Sequence, residues 1–390
     1  MKVKHFPEDF VVEEIPAVAL RKKGPYAICA LTKVNTNLTT ARGLVIKRLN
    51  VYYKHFSWAG IKDKRAKTTQ WVSIKMRRGA KLNFTTPEVS LQHLGFSSRP
   101  LQSGDLKGNK FTITLRDLTE EETKKIEKNM ALIRVYGVPN YFDDQRFGED
   151  LSKSGFIAKR LIKGDYETAV KLYLTSSNHA SHERNMAHNA IQKSWGKWAK
   201  CYEAVRGRET LRTERRMLFH LQNNQKDMVA AFRMIPSHTK EMLIAAYQSY
   251  LWNKCLAQVL KGKVNHLKEK KYKAGVLKMY TGLTAAEFND INSREIPMLS
   301  PATQCKDPYI KEVVERVLKK EGIEQKDLRV RKIRNLFFKT RTRTSLMIPQ
   351  GMRVLSQGPD EAHEGKEKMT ITFSCEKGAY ATIVLKCLEG

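Results

Sequence analysis

From Gly60 to Lys75 the chain reads GIKDKRAKTTQWVSIK, and its two halves follow different rules. Thr69 to Lys75 is a short run of β-branched and aromatic residues and predicts a strand. The residues before it crowd Lys62, Lys64, Arg65 and Lys67 around one carboxylate, Asp63. That isolation extends well beyond the loop. From Ile15 to Pro87 there are sixteen Lys or Arg, and Asp63 is the only acidic residue. A surface that grips a polyanion excludes carboxylates because each repels phosphate, so a lone acid in such a field points to chemistry or to a specific ion pair. An exposed Asp paired with a neighbouring cation is the ordinary alternative, and it contributes little. A carboxylate kept ionised by surrounding cations is a competent nucleophile toward sugar carbon, the role such groups play in glycoside cleavage.

Outward from this loop, Asp9 to Ile15 (DFVVEEI), Tyr26 to Thr32 (YAICALT) and Phe111 to Arg116 (FTITLR) also predict strands. Leu44, Val45 and Leu49 give Thr39 to Leu49 helical spacing, with Thr39 or Thr40 available as the cap. TEEE at Thr119 places Glu122 three residues on and predicts a capping box. Beyond Phe147 the pattern turns helical and charged, with helices expected at Tyr166 to Leu174, His188 to Ala204 and Lys240 to Leu260. Two basic runs, Lys261 to Lys273 and Arg329 to Arg343, read as solvated segments or RNA contacts. Strand character returns at Met369 to Ser374 and Tyr380 to Lys386, joined by CEKGA, which predicts a hairpin. The whole is an α+β chain. Residues 1–150 form the first part of a sheet-rich domain, 151–345 a largely helical insertion, and 346–390 the C-terminal strands that complete the sheet.

The composition agrees with a globular protein: 390 residues, 41% hydrophobic and 28% charged. The net charge of +31 is the informative figure and predicts a nucleic-acid partner. Six cysteines lie far apart, without a CxxC pair, and read as buried free thiols rather than metal ligands. No HExxH, GxxxxGK[ST] or GxGxxG occurs, so neither a metal nor a nucleotide cofactor is expected. Without a long apolar stretch or a signal-peptide core, no membrane association is expected, and the location expected is cytoplasmic.

NYFDDQRFG, Asn140 to Gly148, combines three aromatic rings, an amide and Arg146. An everted nucleobase needs a stacking face and partners for its edge, although core packing is the commoner fate of such rings. At these residues the chain resembles a known family. GIKDKRAKTTQ is similar to the GxKDxxAxTxQ signature of TruD-type pseudouridine synthases. KHFPEDFVVEE (Lys4 to Glu14), LKGNKFTITLRDL (Leu106 to Leu118), VPNYFDDQRFG, AYQSYLWN (Ala246 to Asn253) and KGAYATIVL (Lys377 to Leu385) resemble its further motifs in order. The sequence departs from the family pattern at Asp143, where many members have Gly.

The resemblance implies a pseudouridine-synthase-like, mostly antiparallel sheet flanked by helices, with a largely helical TRUD insertion domain. It implies isomerisation of uridine, usually uridine 13 in the D-arm of tRNA, to pseudouridine without metal or cofactor. The catalytic aspartate falls on Asp63, the active-site lysine on Lys4, and the asparagine and stacking phenylalanine on Asn140 and Phe142. Gln70 and Arg146 are expected to support the pocket or the RNA backbone. Three rival readings differ in observable ways. A binding protein with this fold would lack turnover. An RNA methyltransferase needs a glycine-rich S-adenosylmethionine loop, which is not found. A DNA glycosylase would release free base.

Overall fold

The computed structural model describes residues 1–75, 82–148, 155–176, 181–280 and 282–390. These divide into two compact units, Met1–Val138 with Met347–Gly390, and Pro139–Leu346. The boundary expected at residue 150 lies outside the described residues.

The first unit is built on a nine-stranded sheet. Its strands are β1 (Phe10–Pro16), β2 (Tyr26–Val34), β3 (Phe56–Trp58), β4 (Lys67–Lys75), β5 (Phe84–Thr85), β6 (Val89–Ser97), β7 (Leu106–Leu118) and two late ones, Gln350–Pro359 and Glu367–Glu376. All neighbours pair antiparallel except β1 with β4, which run parallel through Val11 opposite Lys67 to Glu13 opposite Thr69. Helix α1 (Leu38–Leu49) buries Leu38, Ala41 and Val45 against Cys29, Leu31, Val72, Ile74 and Leu91. Its cap is Asn37, whose Oδ1 accepts from Thr40 N at 2.8 Å, and not Thr39 or Thr40. Asn37 stands directly before the first helical residue, with the extended backbone a cap requires, whereas both threonines already lie inside the helix. Helix α2 (Glu120–Tyr136) starts at the expected capping box, with Thr119 and Glu122 bonding each other's main-chain N–H. It stops at Gly137, φ +66, where an added Cβ would come within 2.6 Å of Met347 O.

The C-terminal hairpin is a misreading. Met369 to Ser374 is strand, within Glu367–Glu376, but its partners are β7 and Gln350–Pro359. Tyr380 to Lys386 belongs instead to a helix, Ala381–Leu388, which packs on α2, where Asn129 Nδ2 donates to Leu388 O at 2.8 Å. A short continuous apolar run has the same periodicity in either state, and burial against α2 overrides the β-branched preference of Thr382, Ile383 and Val384.

The second unit is mostly helical, with Ile157–Ile162, Tyr166–Thr175, His182–Lys193, Trp198–Glu203, Arg212–Asn223, Met228–Arg233, Ser237–Lys263, Ala285–Asn292 and Pro308–Glu321. The helix expected over His188 to Ala204 is two, broken at Gly196, φ +87. The basic run from Lys261 holds the strand Leu267–Tyr272, paired with Gly275–Tyr280. Five of the six cysteines are buried and all are free. No helix among the described residues is long and apolar enough to cross a membrane.

A buried cluster ties the ends of the first unit's chain together. Arg116 Nε lies 2.9 and 3.0 Å from the Asp9 carboxylate oxygens, Nη1 2.7 Å from Asp360 Oδ1 and Nη2 3.1 Å from Glu361 Oε1. Burial pushes the Asp360 carboxyl up, but donors from Asp117 N, Ala362 N, His363 and Arg116 outweigh it and hold the group well below the carboxylate range. An unfolded Asp titrates near about 3.9, so the stability this group supplies is complete above that pH and is lost as pH falls toward the lower folded value. Asp360→Asn is therefore expected to be less stable than the parent at pH 6 and to show a flatter decline in urea midpoint between pH 5 and pH 2.5. Parallel declines in the two proteins would reject this role for Asp360.

Candidate active site

Asp63 occupies the irregular segment between β3 and β4, with its side chain 27% exposed. Three neighbouring strands send polar side chains inward at this end of the sheet. On β1 the buried positions of this row are Phe10, Val12 and then Glu14; on β2 the row continues through Cys29 and Leu31 to Lys33; on β4 it holds Thr68, Gln70, Val72 and Ile74. Register sets Val12, Thr68 and Lys33 side by side, so the three rows share one face.

Three of these polar groups, Gln70, Glu14 and Lys33, hold parts of the Asp63 loop. Gln70 Nε2 donates to Gly60 O at 3.0 Å. Glu14 Oε2 accepts from Lys62 Nζ at 2.6 Å, with both side chains almost fully buried, and its Oε1 accepts from Trp71 N at 3.1 Å. Lys33 Nζ donates to Asp63 O at 2.5 Å. Burial lowers the Lys33 ammonium to about 8, against the pull of the Asp63 charge and with the push of Lys62. A Cβ at Gly60 would meet Lys62 Nζ at 3.1 Å, so a larger residue there would push that ammonium aside by a few tenths of an ångström.

Lys4 reaches Asp63 from the N-terminal arm, with Nζ 2.6 Å from Oδ2 and 4.0 Å from the centre of the Phe10 ring. Its φ of +61 is a conformation that a non-glycine residue keeps only when its surroundings impose it. Here both flanks are fixed. Lys2 and Arg116 exchange main-chain bonds of 2.7 and 2.9 Å, and Phe6 N donates to Asp9 Oδ2 at 2.8 Å. The arm is thus clamped on either side of Lys4 by the Arg116–Asp9 cluster.

Asn140, Phe142 and Arg146 lie in the second unit and are brought together there. Asn140 Nδ2 donates to Thr344 O and Oγ1, both at 3.1 Å, while its Oδ1 and O accept from Arg343. The Phe142 ring, 7% exposed, meets Trp252 edge-on at 5.6 Å and the guanidinium groups of Arg343 at 4.3 Å and Arg146 at 5.3 Å. Asn253 clamps the Phe142 main chain, accepting from its N at 3.0 Å and donating to its O at 2.8 Å. Arg146 Nε donates to Ser249 Oγ at 2.9 Å. Asp143 has φ −99 and an extended backbone, a conformation open to any residue, so this turn does not require glycine. Among the described residues no group of three or more His, Cys, Asp or Glu could hold a metal ion.

Sequence reasoning missed Glu14, Lys33, Arg116 and Arg343. The first two carried a signal, a charged residue continuing the inward row of a strand.

The family described as tRNA pseudouridine synthase D (TruD) matches residues 1–388. A protein of Methanocaldococcus jannaschii named for tRNA pseudouridine synthase D is 34% identical across 99% of this chain and 91% of its own length. One of Aquifex aeolicus named tRNA pseudouridine synthase D is 30% identical over 100% of this chain and 98% of its own length. A crystal structure named for the Methanosarcina mazei protein superposes with a TM-score of 0.75 at 26% identity, covering 100% of this chain and 93% of that one.

A buried ion pair is costly to break on one side and cheap to replace on both. Glu14→Leu alone, which strands the Lys62 ammonium, is expected to lose about 3–5 kcal/mol in urea unfolding. Combining it with Lys62→Met should recover much of that loss. If the double variant loses the sum of the two single effects, the pair is not the coupled unit described.

Proposed function

This chain belongs to the TruD family of tRNA pseudouridine synthases, isomerases that convert uridine to pseudouridine in tRNA, and we propose that Asp63 is its nucleophile, with uridine 13 of the D-arm as its target. The observation that carries the reading is the Asp63–Lys4 pair. It holds a carboxylate oxygen against an ammonium, yet leaves it partly exposed, within a segment otherwise free of acids.

In the proposed reaction Asp63 attacks C1′ of the everted uridine as the C1′–N1 bond breaks. The uracil, freed of the sugar, turns so that C5 faces C1′. The C5–C1′ bond then forms as the carboxylate departs, C5 loses its proton to solvent and N1 ends protonated, so no atom is gained or lost overall. Lys4 fixes one oxygen of the nucleophile. Gln70 secures the start of its loop. Asn140, Phe142 and Arg146 bind the substrate in this reading. The Arg343–Asn140 contacts orient the amide, the Phe142 ring offers the uracil a stacking partner, and Arg146 holds Phe142 or a phosphate. The net charge of +31 supplies phosphate attraction independent of sequence. The cytoplasm, where tRNA is plentiful, is the proposed location.

Unmodified tRNA carrying C5-tritiated uridine, incubated without added metal or cofactor, is expected to release tritium at one site. Replacing uridine 13 by cytidine should abolish that release. Asp63→Asn should reduce it by about 10³-fold or more while tRNA binding persists. Full turnover by Asp63→Asn would remove the nucleophile from the scheme, and unchanged release from the cytidine-13 tRNA would remove the target.

A further inference from the structure

Lys33 is fully buried at the end of an apolar row, where a leucine or methionine would continue the pattern of Cys29 and Leu31. An ammonium in such a place is costly unless something compensates it. Among the described residues it forms no ion pair. Its partners are two main-chain oxygens, Asp63 O at 2.5 Å and Lys62 O at 3.5 Å. Both belong to the catalytic loop, and a buried cation that is satisfied only by the backbone of that loop has one evident use.

We propose that Lys33 is a positioning residue for the isomerisation, its buried ammonium drawing in the 62–63 carbonyls so that the Asp63 side chain is held toward the substrate as an anion. The proposal rests on the nucleophilic reading of Asp63. Lys4 grips the side chain of Asp63, whereas Lys33 grips its main chain, so the residue is fixed at both ends. A loop freed of the inner anchor would let the carboxylate wander by an ångström or so, a misplacement that can lower rate about 10²-fold.

The charge on Lys33 also links the site to pH. The charged groups facing it are Asp63, Lys62, whose own ammonium is paired with Glu14, and Lys4 across the Asp63 carboxylate. Its register neighbours on β4 and β6, Thr68 and Val89, do not titrate in this range. Burial lowers the ammonium to about 8, so Lys33 is cationic at pH 7 and becomes neutral as pH rises past that value.

The test is the single-turnover rate of tritium release from tRNA between pH 6 and 9.5, for the parent, Lys33→Met, Lys33→Arg and Asp63→Asn. The parent rate is expected to fall above about pH 8. Lys33→Met should be slower at pH 7 by about 10²-fold with little change in tRNA affinity. Lys33→Arg, which keeps the charge at all these pH values, should retain more rate and lose the alkaline fall. A folded Lys33→Met at parental rate overturns the proposal, as does a parent profile flat to pH 9.5, which decides the matter even if Lys33→Met fails to fold. An active Asp63→Asn overturns the nucleophile reading and this one with it. An inactive Asp63→Asn beside a fully active Lys33→Met overturns this one alone.

Discussion

Asp63 and Lys4 stand 59 residues apart in the chain and 2.6 Å apart in space, and the topology of one strand pair closes the gap. β1 and β4 are the parallel pair of an otherwise antiparallel sheet, so their N-terminal ends lie together. Lys4 precedes β1 and Asp63 precedes β4, so the two segments meet. β2 runs antiparallel to β4 and ends at the same place, which delivers Lys33 to the loop from the other side. Had β1 paired antiparallel, Lys4 would emerge at the far end of β4. The site therefore depends on a direction of pairing more than on any single contact.

Five of the nine strands of the first unit lie where the sequence pattern predicts them, because alternation and β-branched content are local properties. Asp63 was legible because its isolation among cations is visible without a structure. Lys33 escapes the pattern because the run of strand formers, Tyr26 to Thr32, stops one residue short of it. The strand continues to Val34, and the burial of Cys29, Leu31 and Lys33 obeys one period-two row. Charge at an inward position is a conflict between pattern and chemistry, and such conflicts concentrate where a fold serves a reaction. Glu14, third in the row of Phe10 and Val12, is the same case. Arg116 could not be found this way, because its partners Asp9 and Asp360 lie 107 and 244 residues away.

In the second unit the same reasoning explains a motif whose purpose the sequence leaves open. Ser249, Trp252 and Asn253 fall three and four apart on helix Ser237–Lys263, which puts them on one face. That face meets the segment of Asn140 to Phe147 with a hydroxyl for Arg146, a ring edge for Phe142 and a bidentate amide for its main chain. The aromatic segment carries no regular structure through Tyr141 and Phe142, so its shape has to be imposed by such neighbours. Asn253 does so with both ends of its amide, leaving the two peptide groups of Phe142 satisfied although buried.

The handling of acids follows from the overall charge. Asp9, Glu14 and Asp360 are buried and matched to Arg116 or Lys62, where they stabilise the framework and are hidden from solvent. Asp63 is different in being accessible. A bare carboxylate on a surface that attracts phosphate would weaken the attraction around it, yet one bonded to an ammonium forms a locally neutral pair whose field fades within a few ångströms. Under the role proposed for Asp63, pairing with Lys4 reconciles two demands that oppose each other, a positive field for RNA and a negative oxygen for chemistry. The reconciliation works only while both partners keep their charge and the loop keeps its place, which is why the groups around Asp63 act on its backbone as well as on its carboxylate.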